Sequence, residues 1–137
     1  VRDINRIILH CTATKEGAYV DVETITKWHK ARQFSDIGYH YVIYLDGSIN
    51  KGRKICTQGA HVRGENKDSI GVAYVGGLDE KGKAKDTMNV KQEMAFVRIV
   101  DSLRMVLGDL SIHGHNEYSK KTCPNFIVQD KFKFLKL

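Results

Sequence analysis

Two rhythms of apolar and polar residues alternate along this chain. Arg6-Ile7-Ile8-Leu9-His10 is a short apolar run, which reads as a buried strand of the kind found in α/β layers. After a polar stretch containing Gly17, Asp21 offers an N-cap. Val22, Ile25 and Trp28 then recur at helical spacing, predicting a helix to about Gln33 with Trp28 in the core. Gly38 opens a β-rich run from Tyr39 to Leu45, Asp46-Gly47 signals a hairpin turn, and Ser48–Lys51 forms the returning strand. Within that run His40 alternates with Tyr39 and Tyr41, so it faces away from them and reads as structural.

The stretch 56–67 is polar and contains glycine, and reads as a loop. Ser69–Val75 is another apolar strand, closed by Gly76-Gly77, and a charged loop follows from Asp79 to Asp86. Asn89 with Gln92 three residues on has the form of a capping box. Met94, Val97, Val100, Leu103 and Leu107 trace the predicted apolar face of the helix it opens, and Gly108 ends that helix. Leu110–His113 is a short strand. The tail with Phe126, Val128, Phe132, Phe134 and Leu135 fits helix or strand. Strands alternating with helices predict an α/β fold, a single domain over 1–137 with a central sheet flanked by helices on both faces. The hairpin makes the sheet mixed.

The length, 137 residues, suits one domain with its own core. Hydrophobic content of 42% and charged content of 28% are ordinary globular values and exclude a disordered chain. No apolar run is long enough to span a membrane, and no secretory signal is visible at the N-terminus. Lys and Arg number 22 against 16 Asp and Glu, a net charge of +6 that favours anionic partners. The basic residues are dispersed and follow no nucleic-acid-binding pattern, so no nucleic acid is expected. Cys11, Cys56 and Cys123 are odd in number and widely spaced, unlike a disulfide framework.

Candidate chemistry gathers at strand ends. His10 ends the first strand. His113 and His115 flank Gly114 after the last one, and Cys123 follows eight residues later. Imidazole and thiolate are good zinc ligands, and three protein ligands with one open position is the catalytic arrangement. On an extended segment His113 and His115 share a side, so either could reach His10. Cys11 points the other way on its strand and reads as buried, and His29 reads as a partly exposed helix position. Cys56 has no assignable role. Glu117 is the one acidic residue within this cluster and has no visible carboxylate partner.

The ordered set Ile8-Leu9-His10-Cys11-Thr12-Ala13-Thr14, Trp28-His29-Lys30, Ile37-Gly38-Tyr39-His40-Tyr41, Gly59-Ala60-His61 with Asn66, Ser69-Ile70-Gly71-Val72, His113-Gly114-His115 and Lys121-Thr122-Cys123-Pro124 resembles type 2 N-acetylmuramoyl-L-alanine amidases. That family includes small phage endolysins and peptidoglycan recognition proteins. The resemblance runs from about Ile7 to Phe126. It implies one Zn²⁺ held by His10, His115 and Cys123, with His115 chosen over His113 by its spacing to Cys123. It implies catalytic roles for Tyr39 and Lys121, and peptidoglycan as substrate, cut between muramic acid and L-alanine. His61, Asn66 and His113 are the candidates for substrate contact. A monomer made in the cytoplasm and acting on the cell wall is expected, as in an endolysin. The alternative is a peptidoglycan-binding module of the same fold without activity.

Overall fold

The computed structural model describes residues 2–137. Its main sheet has five strands: β1 (Arg6–Cys11), β3 (Tyr41–Ile43), β4 (Ile49–Lys51), β5 (Ser69–Tyr74) and β7 (Ser111–Gly114). They lie in the order β4-β3-β5-β1-β7. β1 pairs in parallel with both β5 and β7, and β3 pairs in parallel with β5. Only β4 runs against its neighbour, across the turn at Asp46-Gly47. A second, two-stranded sheet joins β2 (Thr14–Lys15) to β6 (Gly77–Leu78). Gly76 and Gly77 therefore do not simply close β5; Gly77 begins a strand of its own.

Three helices cover the sheet. α1 (Val22–Ala31) starts at Asp21, whose carboxylate accepts the Thr24 amide proton at 2.8 Å. α2 (Val90–Leu107) starts with the capping box, Asn89 and Gln92 bonding each other's amides at 2.8 and 3.0 Å. The tail resolves as a helical turn, α3 (Val128–Lys131), followed by a 3-10 turn over Lys133–Leu135. One face of the sheet carries Ile7, Leu9, Ile70, Val72 and Tyr74 and packs against α2 and α3. On the other face Val42 and Val75 pack against Ile25 of α1. β5, at the centre, is buried along its whole length because both of its faces are covered.

Both long helices bury part of the predicted stripe, Ile25 in α1 and Val100 with Leu103 in α2, and each adds a polar residue to the core. In α1 the buried positions are Ile25 and His29, four apart, while Trp28 is 46% exposed. In α2 they are Gln92, Ala95, Phe96, Ile99, Val100 and Leu103, while Met94 and Leu107 face solvent. The reason is the same in both. A buried polar side chain with a hydrogen-bond partner counts as core, whatever its hydropathy. His29 Nδ1 accepts the Gly38 amide proton at 2.8 Å, and Gln92 Nε2 donates to the Val75 carbonyl at 3.0 Å.

Candidate metal centre and cleft

α1 covers the β3 side of its face and leaves the β1 and β7 side open. There the fold encloses a cavity of about 540 Å³. Its floor is His10 and Cys11 at the end of β1. One wall is Trp28, His29, Arg32 and Phe34, a second is the loop from Ala60 to Asn66, and a third runs from His115 to Cys123.

His10, His115 and Cys123 meet there, one potential ligand atom from each lying within 4.8 Å of the other two. His10 is brought by the pleat of β1, which sends Ile7, Leu9 and Cys11 into the α2 core and His10 to the cavity. His115 arrives because β7 ends at Gly114 and the chain turns into a 3-10 turn over His115–Glu117. Cys123 is held against β1, its sulfur accepting the Cys11 amide proton at 3.1 Å. Cys11 itself is buried and both thiols are free.

Burial sets the protonation of this cluster. It holds His10 well below the usual imidazole range, with His61, His115 and Lys121 pushing the same way. It lowers His115 too, with Lys121 adding to the effect. His61 is pushed down to about 3, again mainly by burial. Neutral imidazoles are the form a cation binds. The Cys123 thiol is pushed up by its hydrogen bond to Cys11 and by burial; a bound cation would reverse that by taking the thiolate. Two imidazoles and a thiolate are a donor set that fits zinc, and all three side chains line the cavity.

The other candidates separate. Tyr39 lines the cavity with its ring 5.2 Å from that of His10, and burial raises its phenol above the ordinary range, so it stays protonated. Lys121 stands on the exposed loop at the rim. His61 reaches the wall, but both its ring nitrogens are engaged, one of them by His10 at 2.8 Å. Asn66 also lines the cavity, yet its side-chain oxygen accepts the amide protons of His61 and Val62, both at 2.9 Å. It shapes the loop.

His113 is not brought to the cavity, against the expectation of a substrate contact. It sits beside Ile8 in register, with Nε2 2.7 Å from Ser111 Oγ and Nδ1 2.9 Å from Glu117 Oε1. The extended alternation that would put His113 and His115 on one side stops at Gly114, where the turn rotates His115 away. Glu117 is spent on the same turn, its other oxygen accepting from the Gly114 amide and from Gln129 Nε2, both at 2.7 Å.

The family model described as N-acetylmuramoyl-L-alanine amidase matches residues 1–126. The chain belongs to this family. The amidase is 35% identical over 128 residues to the endolysin of Enterobacteria phage K11, covering 93% of this chain and 85% of that one. It is 37% identical over 120 residues to the endolysin of Escherichia phage T7, covering 88% and 80%. In fold it resembles the N-acetylmuramoyl-L-alanine amidase LysC from Clostridium intestinale URNW, with a TM-score of 0.81, 24% identity and coverage of 96% and 87%.

Sequence reasoning missed most of the amidase cleft's outer wall. Trp28 comes from the last turn of α1, Arg32 and Phe34 from the segment just after it, Arg63 from the loop before β5, and Tyr118 from the turn after β7. One signal was present for Trp28: Ile25 with His29 is also a helical pair, and choosing it turns Trp28 outward.

Proposed function

We propose that this amidase is zinc-dependent and hydrolyses the amide between the lactyl group of N-acetylmuramic acid and the L-alanine of the stem peptide, as a phage-type endolysin acting on the cell wall. The observation that carries the reading is the His10, His115 and Cys123 cluster, compact to 4.8 Å and opening on a cleft. When bound, zinc supplies a Lewis acid and a water acidified toward neutral pH. The three residues would hold it, and the single negative charge of the thiolate would leave the site about +1, still suited to stabilising an oxyanion. The Lys121 ammonium on the rim adds a second cation for the charge that develops on the scissile carbonyl oxygen. Such a donor is typically worth about 3 kcal/mol in the transition state. Tyr39, kept protonated by burial and lining the same cleft, has a hydroxyl free to donate a hydrogen bond to the substrate. Trp28, Phe34 and Tyr118 offer flat apolar faces to a sugar–peptide substrate, and Arg32 and Arg63 offer cations to its carboxylates.

A glycosidase would need paired carboxylates flanking the sugar bond. Among the described residues no Asp or Glu lines the cleft, and Glu117 is committed to the His115 turn. Digestion of purified peptidoglycan tests the proposal. Mass spectrometry should find free stem peptides with new L-alanine N-termini and intact glycan strands. A chelator should stop the reaction and Zn²⁺ restore it. New reducing sugar ends without new alanine amines overturn the bond assignment. Binding without release of either product supports a non-catalytic module.

A further inference from the structure

A line of hydrogen bonds leaves the metal cluster and ends on a backbone carbonyl. His10 Nε2 lies 2.8 Å from His61 Nδ1. His61 Nε2 lies 3.3 Å from Ser69 Oγ, and Ser69 Oγ donates to the Glu65 carbonyl at 2.7 Å. Ser69 is fully buried at the start of β5. A carbonyl oxygen can only accept, so it fixes the direction of every bond before it. Ser69 must spend its one proton on Glu65. Its oxygen must then accept from His61 Nε2–H. A neutral His61 protonated at Nε2 has a bare Nδ1, which must accept. The His10 nitrogen facing it is therefore the donor, Nε2–H, and the bare nitrogen of His10 is Nδ1.

We propose that His61 is a positioning residue which, through this one-way relay from the Glu65 carbonyl, locks His10 in the tautomer whose Nδ1 lone pair is free for the metal. The proposal rests on the zinc reading above. A histidine ligand needs its second nitrogen fixed if ring orientation and tautomer are to be set before the metal arrives.

The chain gives up side chains to seat this relay. A Cβ on Gly71, in the middle of β5, would lie 2.5 Å from His61 Cγ, and one on Gly59 would lie 2.8 Å from His61 Cδ2. Both glycines leave the room in which the His61 ring lies edge-on to His10, with ring centroids 4.9 Å apart. The acceptor end is pinned as well. Arg6 holds the Glu65 carboxylate at 2.9 Å and also pairs with Asp68, while Asn66 fixes the turn from His61. A histidine used only to contact substrate would not need a buried serine behind it with a defined proton direction.

Long-range ¹H–¹⁵N spectra of the histidine rings in the zinc-loaded protein read the tautomer directly. His10 should be protonated at Nε2 and coordinated through Nδ1, and His61 protonated at Nε2. Zinc affinity, measured by chelator competition, should fall roughly 10–100-fold in His61→Leu. Because that variant loses packing against Gly59 and Gly71, Ser69→Ala supplies the second arm. It keeps the His61 ring and removes the fixed end, so the competing tautomer of His10 becomes accessible and zinc affinity should drop several-fold, while Ser69→Thr restores it. Coordination of His10 through Nε2, or zinc affinity within about twofold of wild type in Ser69→Ala, overturns the proposal. If the wild type takes up no zinc, the metal reading fails instead, and the His10 tautomer in that protein still decides whether the relay exists.

Discussion

The rings of His10 and His115 lie 4.7 Å apart, tilted by 57°, although each stands one residue beyond Leu9 and Gly114, the last pair of the β1–β7 register. β1 and β7 are in parallel register only as far as Leu9 and Gly114, and the 3-10 turn then folds His115 over the end of β1. His113, two residues earlier, is tied to Ser111 and Glu117. Zinc content should therefore collapse in His115→Ala and survive in His113→Ala. The second variant should lose only about 1 kcal/mol of stability with its side-chain bonds. Elemental analysis beside a urea titration checks both, and the reverse pattern would exchange the two histidines.

Tyr39→Phe removes one hydroxyl and Lys121→Ala one ammonium from the cleft wall. Each should lower kcat by on the order of 10²-fold with zinc content and Tm unchanged. Near-wild-type turnover in either variant would remove that residue from the chemistry.

Trp28 is the single tryptophan of the chain and stands half-exposed on the cleft. Its fluorescence should shift when a soluble muropeptide binds. Trp28→Ala should raise KM about tenfold and leave zinc content alone, since the residue makes contact area and no bond to the metal cluster. An emission spectrum blind to saturating muropeptide would place the substrate elsewhere.

His40 is buried behind the site, its Nδ1 accepting the Gly71 amide proton at 3.0 Å and its Nε2 donating to the Thr57 carbonyl at 2.9 Å. Burial lowers it from an ordinary 6.5 to about 4. Between those values the unfolded chain binds a proton that the folded one refuses. The stabilisation is therefore complete above pH 6.5 and is lost as pH falls toward 4, on the order of 3 kcal/mol in all. Denaturant titrations across that range should show the decline, and His40→Gln should make it shallower, the remainder coming from His10 and His61, which burial lowers as well. A wild-type profile that is level from pH 7 to 4.5 would contradict the assignment.

The strands were legible because burial on both faces writes unbroken apolar runs, as in Ile7-Ile8-Leu9 and Ile70–Val75. The caps were legible because Asp21 and Asn89 act within three residues of themselves. The metal cluster was legible through resemblance and spacing. What escaped was decided by partners far along the chain. His29 is core because Gly38 needs an acceptor, and Gln92 because Val75 does. His113 turns from the cavity because Glu117 holds it, and His61 turns toward His10 because Gly59 and Gly71 make room. No periodicity records such pairings.

The hydrogen bond from the Cys11 amide to Cys123 spans 112 positions of chain. Closing so long a loop is among the slowest contacts a chain makes, and it joins the first strand to the last loop. A nascent chain still lacking Cys123 has at most two of the three side chains of the cluster and an incomplete third wall to its cleft. During synthesis, then, the cluster can assemble only after the ribosome has passed Cys123, however early β1 has formed.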